Sequence, residues 1–210
     1  FVSFVENPVK FFFEKQLGVY FRDEDDRIEE SENFTLNGLE HYRISNELLH
    51  LEEAQFNDYF AKQRVKGIMP RGEFAEVCAQ SIRADVLAFK EKIKDYSSPH
   101  SESVDFMVET AQGNIRLLGY MEPLFGDENQ IIEWRFAKYK DRYRIRPWLY
   151  YLIQLATKEN ALPPRIIAKD KDLTLKTIEK STALEKLKMY VEAYLQSQQQ
   201  IQLIPTENIA

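Results

Sequence analysis

The sequence predicts an α/β fold in which helices flank a mixed central sheet and a mainly helical portion comes first. Apolar residues recur at helical spacing through residues 1–100, and the apolar period then changes to two over residues 101–136. A helix, two short strand-like segments and a final helix follow. We expect a single domain over residues 1–210, with the helical portion at 1–100 and a sheet-containing portion at 101–200.

The helical portion is predicted to contain four helices, each with an apolar stripe. They begin near Pro8, Leu39, Phe56 and Phe74, and the fourth runs to about Tyr96. Asn7 is a favoured cap residue for the first helix, and Pro8 suits the first helical position because that residue needs no N–H partner. Gly67 ends the third helix, since glycine terminates helices at low conformational cost.

Strands are predicted from Val104 onward, because Ser97–His100 interrupts the helical pattern. Three strands cover residues 104–108, 114–121 and 130–136, with turns at 112–113 and 126–129, and further strands cover 165–168 and 173–175. A helix begins at Arg146-Pro147, between the two groups of strands. The spacing of Thr182 and Glu185 is that of a capping box and predicts the start of the last helix there.

Composition and charge narrow the possible functions. The net charge of −6 argues against a surface that binds nucleic acid everywhere, because phosphate binding needs clustered Lys and Arg. A single cysteine, Cys78, rules out an intramolecular disulfide and a cysteine zinc site, and three scattered histidines disfavour a histidine site. We therefore expect neither a bound metal nor a cofactor.

The start of the chain and its apolar runs bear on location. The sequence begins without Met and with an apolar stretch, so we expect a domain excised from a larger protein. Its apolar runs all fall short of the ~20 residues of a membrane span, and the first residues lack a signal-peptide pattern. We expect no membrane association and a cytoplasmic location.

Two neighbouring strands carry an incomplete metal-dependent nuclease motif. Glu122 follows the second strand, and Glu133 and Arg135 share one face of the third, because side chains alternate along a strand. Nucleases of the PD-(D/E)xK type carry acidic residues in this arrangement, with lysine where this chain has Arg135. A guanidinium stays protonated and pairs readily with a carboxylate. We expect Arg135 to pair with Glu133 or Glu122 in a degenerate site without catalytic residues.

A second candidate site is the basic and aromatic stretch at residues 138–146. Its cations are Lys138, Lys140, Arg142, Arg144 and Arg146, and its aromatic residues are Tyr139 and Tyr143. Cations contact phosphates and aromatic rings stack on unpaired bases, so this combination predicts guidance of a single strand without sequence reading. The alternative is a solvated loop that neutralises the acidic run at 23–32.

The order of several motifs resembles a known family. The motifs are Asn7-Pro8-Val9-Lys10-Phe11-Phe12, residues 34–42, Gly67–Phe74 and Leu118-Gly119-Tyr120. In this order they resemble the carboxy-terminal domain of the exodeoxyribonuclease V gamma-subunit family, RecC. The resemblance covers essentially the whole chain.

The resemblance implies a PD-(D/E)xK nuclease-like fold that has lost its catalytic residues. It further implies a structural and DNA-guiding role inside the RecBCD helicase–nuclease, with RecB, RecD and double-strand DNA ends as partners in recombinational repair. Two alternatives of other classes stand beside it. One is an active Mg²⁺-dependent DNA nuclease domain, and the other is a pure protein-docking module with an exposed aromatic surface.

Overall fold

The computed structural model describes residues 1–20 and 36–202, and these form two compact units. The sheet unit holds the described residues within 1–22, 96–135 and 139–210. The helical unit holds those within 23–95 and 136–138. The acidic run at 23–32 lies outside the described residues. That the chain forms a single domain stays a prediction.

The described helices follow local sequence signals closely. They are α1 (Val2–Glu6), α2 (Pro8–Lys15), α3 (Gly38–Leu49), α4 (Phe56–Val65), α5 (Glu73–Ile93), α6 (Ile145–Thr157) and α7 (Lys180–Gln196). The Asn7 side chain caps α2 by accepting a hydrogen bond from the Lys10 amide at 3.0 Å. Asn37 and Glu40 form a capping box at the start of α3. Within the described ranges, every helix is too short or too polar to cross a membrane.

Two helix starts differ from the sequence-based prediction. Helix α7 begins at Lys180 with Glu179 as its N-cap, and no side chain caps it. The prediction of a capping box at Thr182 is wrong, because Thr182 is already the third helical residue and a capping residue must have non-helical backbone angles. Helix α1 was not predicted. Its five residues are too few to show a helical period.

The sheet unit contains a five-stranded mixed sheet in the order β1-β2-β3-β4-β5. The strands are β1 (His100–Thr110), β2 (Gly113–Phe125), β3 (Gln130–Arg135), β4 (Arg165–Ala168) and β5 (Asp172–Thr174). The pair β3 and β4 is parallel, and the other neighbouring pairs are antiparallel. The predicted α/β class with a mixed sheet and a helical N-terminal part is confirmed.

Helix α6 is the centre of the sheet unit. It connects the parallel strands β3 and β4 and packs against α1, α7 and β3. Trp148 and Tyr151 are among its fully buried side chains. A helix that is apolar on nearly all sides must be buried on nearly all sides. This burial fixes the first turn of α6, which carries Arg146 and leads to Tyr150.

Strands β1 and β2 form a long two-stranded ribbon. They pair throughout residues 102–110 and 113–121, whereas β2 pairs with β3 only at Leu124 and Phe125. The inner face of the β1–β2 ribbon contributes Val104 and Val108 to the core that also contains α7. Exposed apolar residues remain on the outer face, namely Met107, Leu118 and Tyr120.

The helical unit has its own core between α3, α4 and α5. Ile44, Phe56 and Ile82 are completely buried there. Phe136 belongs to this unit and packs edge-on against Phe89, with ring centroids 5.3 Å apart.

Candidate functional site

Arg135 binds Glu133 directly, as expected from their shared strand face. The Nε and Nη2 atoms of Arg135 each lie 2.8 Å from Oε1 of Glu133. The Glu133 side chain is 12% exposed and that of Arg135 is 41% exposed. Charge-assisted hydrogen bonds of this length neutralise the carboxylate. The oxygen that a metal ion would need is therefore engaged by a permanent cation.

A second arginine, Arg146, lies near Glu133 and binds a carboxylate from a distant part of the chain. Its Nε atom donates to Oε1 of Glu6 at 2.9 Å, linking α6 to the end of α1. Burial works against the charge of Arg146, but the hydrogen bond and charge of Glu6, with a smaller effect of Glu133, raise its pKa overall. The sequence gives no signal for Glu6, which lies 140 residues away along the chain.

Tyr150 connects Glu122 to these residues. Burial raises the pKa of the Tyr150 hydroxyl; the charge of Arg146 opposes this rise, and the charges of Glu122 and Glu6 add to it. The main chain of Glu122 also hydrogen-bonds to that hydroxyl. Glu122 itself is exposed. We call the set the ion-pair cluster, consisting of Glu6, Glu122, Glu133, Arg135, Arg146 and Tyr150.

The ion-pair cluster offers no free Glu133 carboxylate to a magnesium ion. Mg²⁺ requires near-octahedral oxygen coordination, usually with one or two carboxylates fully available. Among the residues that the structure describes, no three His, Cys, Asp or Glu side chains are grouped so as to hold a metal ion. Glu133 is paired with Arg135, and Glu122 approaches Tyr150 through its main chain. The cluster is suited to holding α1, α6 and β3 together by charge.

The cations of the basic stretch differ in whether a carboxylate pairs with them. Residues Asp141–Arg144 form a 3-10 turn, and α6 follows at once. Arg144 pairs with Asp141 at 3.4 Å, and Arg146 is paired with Glu6. Lys140 and Arg142 are exposed and have no carboxylate partner within residues 1–20 and 36–202. Lys138 is also exposed, but it belongs to the helical unit.

The two tyrosines of the stretch are half-buried against the core of the sheet unit. The guanidinium carbons of Arg135 and Arg142 lie 5.5 and 5.7 Å from the centroid of the Tyr143 ring. The Nζ atom of Lys171 lies 4.3 Å from the centroid of the Tyr139 ring. Cations at these distances are attracted by the ring faces. The rings therefore hold cations in place, and their stacking on bases stays a prediction.

Comparison with known proteins identifies the family. The family model described as the RecC C-terminal domain matches residues 1–210. The chain belongs to the RecC C-terminal domain family. The family predicted from the order of the sequence motifs is thereby confirmed.

Individual relatives agree with this assignment. The chain is similar to the RecBCD enzyme subunit RecC of Haemophilus influenzae, with 58% identity over 209 residues, covering 98% of this chain and 19% of that protein. It is 25% identical over 193 residues to RecC of Escherichia coli, covering 91% of this chain and 17% of that protein. RecC of Buchnera aphidicola is 26% identical over 156 residues, covering 72% of this chain and 14% of that protein. The chain spans less than a fifth of the length of these relatives.

This RecC C-terminal domain has basic residues near Tyr139 that the sequence-based prediction of the basic site did not include. The turn between β4 and β5 carries Lys169 and Lys171, both exposed. Asp170 in the same turn accepts a hydrogen bond from the Tyr139 amide at 2.7 Å. Residues so far apart in sequence show no shared period, so only the parallel pairing of β3 with β4 brings them together.

Proposed function

We propose that this RecC C-terminal domain is a non-catalytic, nuclease-like part of a RecC subunit. In this proposal it acts within a cytoplasmic RecBCD helicase–nuclease, together with RecB and RecD. It helps to guide DNA strands while double-strand ends are processed for recombinational repair. Its relatives are named as RecBCD enzyme subunits, which supports this assembly.

The observation that carries the non-catalytic role is the pairing of Arg135 with Glu133. A metal-dependent nuclease needs free carboxylates for its metal and a positioned group beside the attacking water. Here two nitrogens of a guanidinium, which never deprotonates, point at a single carboxylate oxygen. The alternative is an active Mg²⁺-dependent nuclease. It would require the contact between Arg135 and Glu133 to break, so that the carboxylate could bind the metal.

A nuclease assay tests the non-catalytic role. We expect the full-length protein that carries this domain, purified without partners, to leave linear DNA intact in Mg²⁺ or Mn²⁺. Glu133→Ala is expected to change nothing, because Glu133 has no catalytic task. Metal-dependent degradation that disappears in Glu133→Ala would establish the active nuclease in place of this proposal.

The DNA-guiding role rests on Lys140 and Arg142, the exposed cations of the sheet unit that remain available in the basic stretch. Cations without carboxylate partners release bound counterions when they meet phosphates, whereas cations in ion pairs must first give up a partner. Arg144 and Arg146 are engaged in this way. We propose that Arg144 and Arg146 stabilise the conformation of the basic stretch and contribute little to DNA binding.

The double substitution Lys140→Ala/Arg142→Ala tests DNA guidance. Each lost phosphate contact with a single strand makes the slope of log K against log salt concentration shallower by about 0.7. For two lost contacts we expect a slope shallower by about 1.4, together with weaker binding at low salt. Binding of a fluorescent oligonucleotide to the full-length protein across a salt series measures both quantities. The control is Lys10→Ala/Lys188→Ala, which removes the same charge from α2 and α7. If both double variants weaken DNA binding equally, net charge alone determines binding, and the proposed role of Lys140 and Arg142 is wrong.

A second role is favoured by the outer face of the β1–β2 ribbon. Leu118 and Tyr120 are 66% and 71% exposed there, on the same face as Met107. Clustered exposed apolar side chains mark protein contacts more often than free surface. We propose RecD as the partner that covers this face, because the family resemblance implies a contact with RecD.

A further inference from the structure

We propose that the turn between β4 and β5 completes a phosphate-binding site for single-stranded DNA. Its cations are Lys140, which follows Tyr139 in the chain, Arg142 over the Tyr143 ring and Lys171 over the Tyr139 ring, and we call this set the composite basic patch. The inference rests on the proposed DNA-guiding role. It deepens that role by adding Lys171, which lies outside the basic stretch of the sequence.

Hydrogen bonds lock the turn against the basic stretch. Asp170 Oδ1 accepts from the Tyr139 amide at 2.7 Å, which joins residues 31 positions apart. The turn is itself closed by a hydrogen bond of 2.8 Å from the Ala168 amide to the Lys171 carbonyl. Lys171 then places Nζ 4.3 Å from the centroid of the Tyr139 ring. The fold therefore places this ammonium group beside the Tyr139 ring.

The charges in the patch favour an anion. Lys171, like Lys140 and Arg142, has no carboxylate partner in the described parts of the chain. The three nearby carboxylates each contact another group, and Asp172 pairs with Arg165 at 3.9 Å. Asp170 accepts from the Tyr139 amide, and Asp141 accepts from the Tyr139 hydroxyl at 3.2 Å while also pairing with Arg144. Cations held in place without a counter-charge form the electrostatic footprint of phosphate binding.

The size of the patch favours one strand over a duplex. Tight binding of a duplex through its phosphates requires many cations spread over an extended basic surface. This chain has a net charge of −6, so its basic surface is local. A short row of cations beside half-buried tyrosines matches the combination of charge and aromatic contact used for single strands. Phosphate contacts carry no sequence information, so binding through this patch should be independent of sequence.

The test uses Lys171→Glu in the full-length protein, with Lys188→Glu as the matched charge reversal. Lys188 lies on α7, which packs against β1 at the other edge of the sheet. We expect Lys171→Glu to weaken binding of an oligo(dT) probe severalfold and to reduce the salt slope by about 0.7 or more, while Lys188→Glu binds like the unchanged protein. Lys171→Arg should restore binding. Photo-crosslinking of a 4-thiothymidine oligo(dT) should label a peptide spanning residues 165–176.

The outcomes separate this inference from the proposed function. If Lys171→Glu binds like Lys188→Glu while Lys140→Ala/Arg142→Ala still weakens binding, the turn is not part of the site and DNA guidance stands. If neither variant affects binding and no crosslink maps to this domain, DNA guidance fails as well. If Lys171→Glu keeps its DNA affinity but loses a partner subunit, the patch binds an acidic protein surface and the inference is overturned. An unchanged thermal unfolding curve shows that each variant is folded.

Discussion

Arg135→Ala is expected to destabilise the sheet unit by about 2 kcal/mol, because it leaves the Glu133 carboxylate nearly buried without its cation. Removing one partner of a fully buried ion pair costs about 3–5 kcal/mol. The cost is expected to be smaller here because the Arg135 side chain is 41% exposed, so water partly replaces it. Hydrogen exchange of the β3 and β4 amides in the full-length protein measures the loss.

A matched control exists on the outer face of the β1–β2 ribbon. Arg116 binds Asp105 with two hydrogen bonds of 2.8 and 2.7 Å, but these side chains are 58% and 57% exposed. Ion pairs on the surface contribute little because water screens them, so Arg116→Ala should cost less than Arg135→Ala. Similar losses in the two variants would mean that the burial of Glu133 does not determine the cost, which would contradict this account of the ion-pair cluster.

The double replacement Glu133→Leu/Arg135→Leu separates the stability of the pair from the cost of breaking it. Replacing a buried pair with apolar residues of similar volume is often neutral or stabilising. We therefore expect the double variant to be at least as stable as Arg135→Ala. A double variant that is less stable than Arg135→Ala would show that Glu133 stabilises β3 through contacts other than its pair with Arg135.

Local patterns in the sequence were sufficient for much of the fold and part of the site. The predicted strand at 104–108 lies within β1, and the strand predicted at 130–136 is β3 with its end one residue too late, because a period of two identifies a strand from its own residues. The pairing of Arg135 with Glu133 could be predicted for the same reason. The two residues are neighbours on one strand face, so no knowledge of the tertiary fold was needed.

Contacts between distant segments could not be predicted in this way. Glu6 neutralises Arg146 from α1, and Asp170 holds Tyr139 from the β4–β5 turn. Neither contact produces a repeating pattern in the sequence, because each depends on where the fold places α6 and β4. The basic stretch therefore looked uniform in sequence, although in the structure some of its cations are paired and others, such as Lys140, are exposed.

The outer face of the β1–β2 ribbon leads to the prediction with the largest effect on assembly. If RecD covers this face, as proposed, Leu118→Gln/Tyr120→Gln should weaken the association of the full-length protein with RecD by about 30-fold or more. Truncating an anchor at the centre of an interface typically costs about 2 kcal/mol or more, and tyrosine is enriched among such anchors. Both side chains point away from the core of the sheet unit, so the fold should tolerate the change.

The matched control is Leu39→Gln/Val77→Gln in the helical unit, where the exposed fractions are 76% and 67%. It removes a similar amount of exposed apolar surface from another part of the chain. Co-purification and titration with RecD compare the two double variants, while oligonucleotide binding checks that DNA contacts are unaffected. If the control variant loses RecD and the ribbon variant retains it, the helical unit carries the contact. Loss of DNA binding in the ribbon variant, with RecD association intact, would make the ribbon face a DNA surface and remove the docking role, because Leu118 and Tyr120 would then act on the strand and not on the partner subunit.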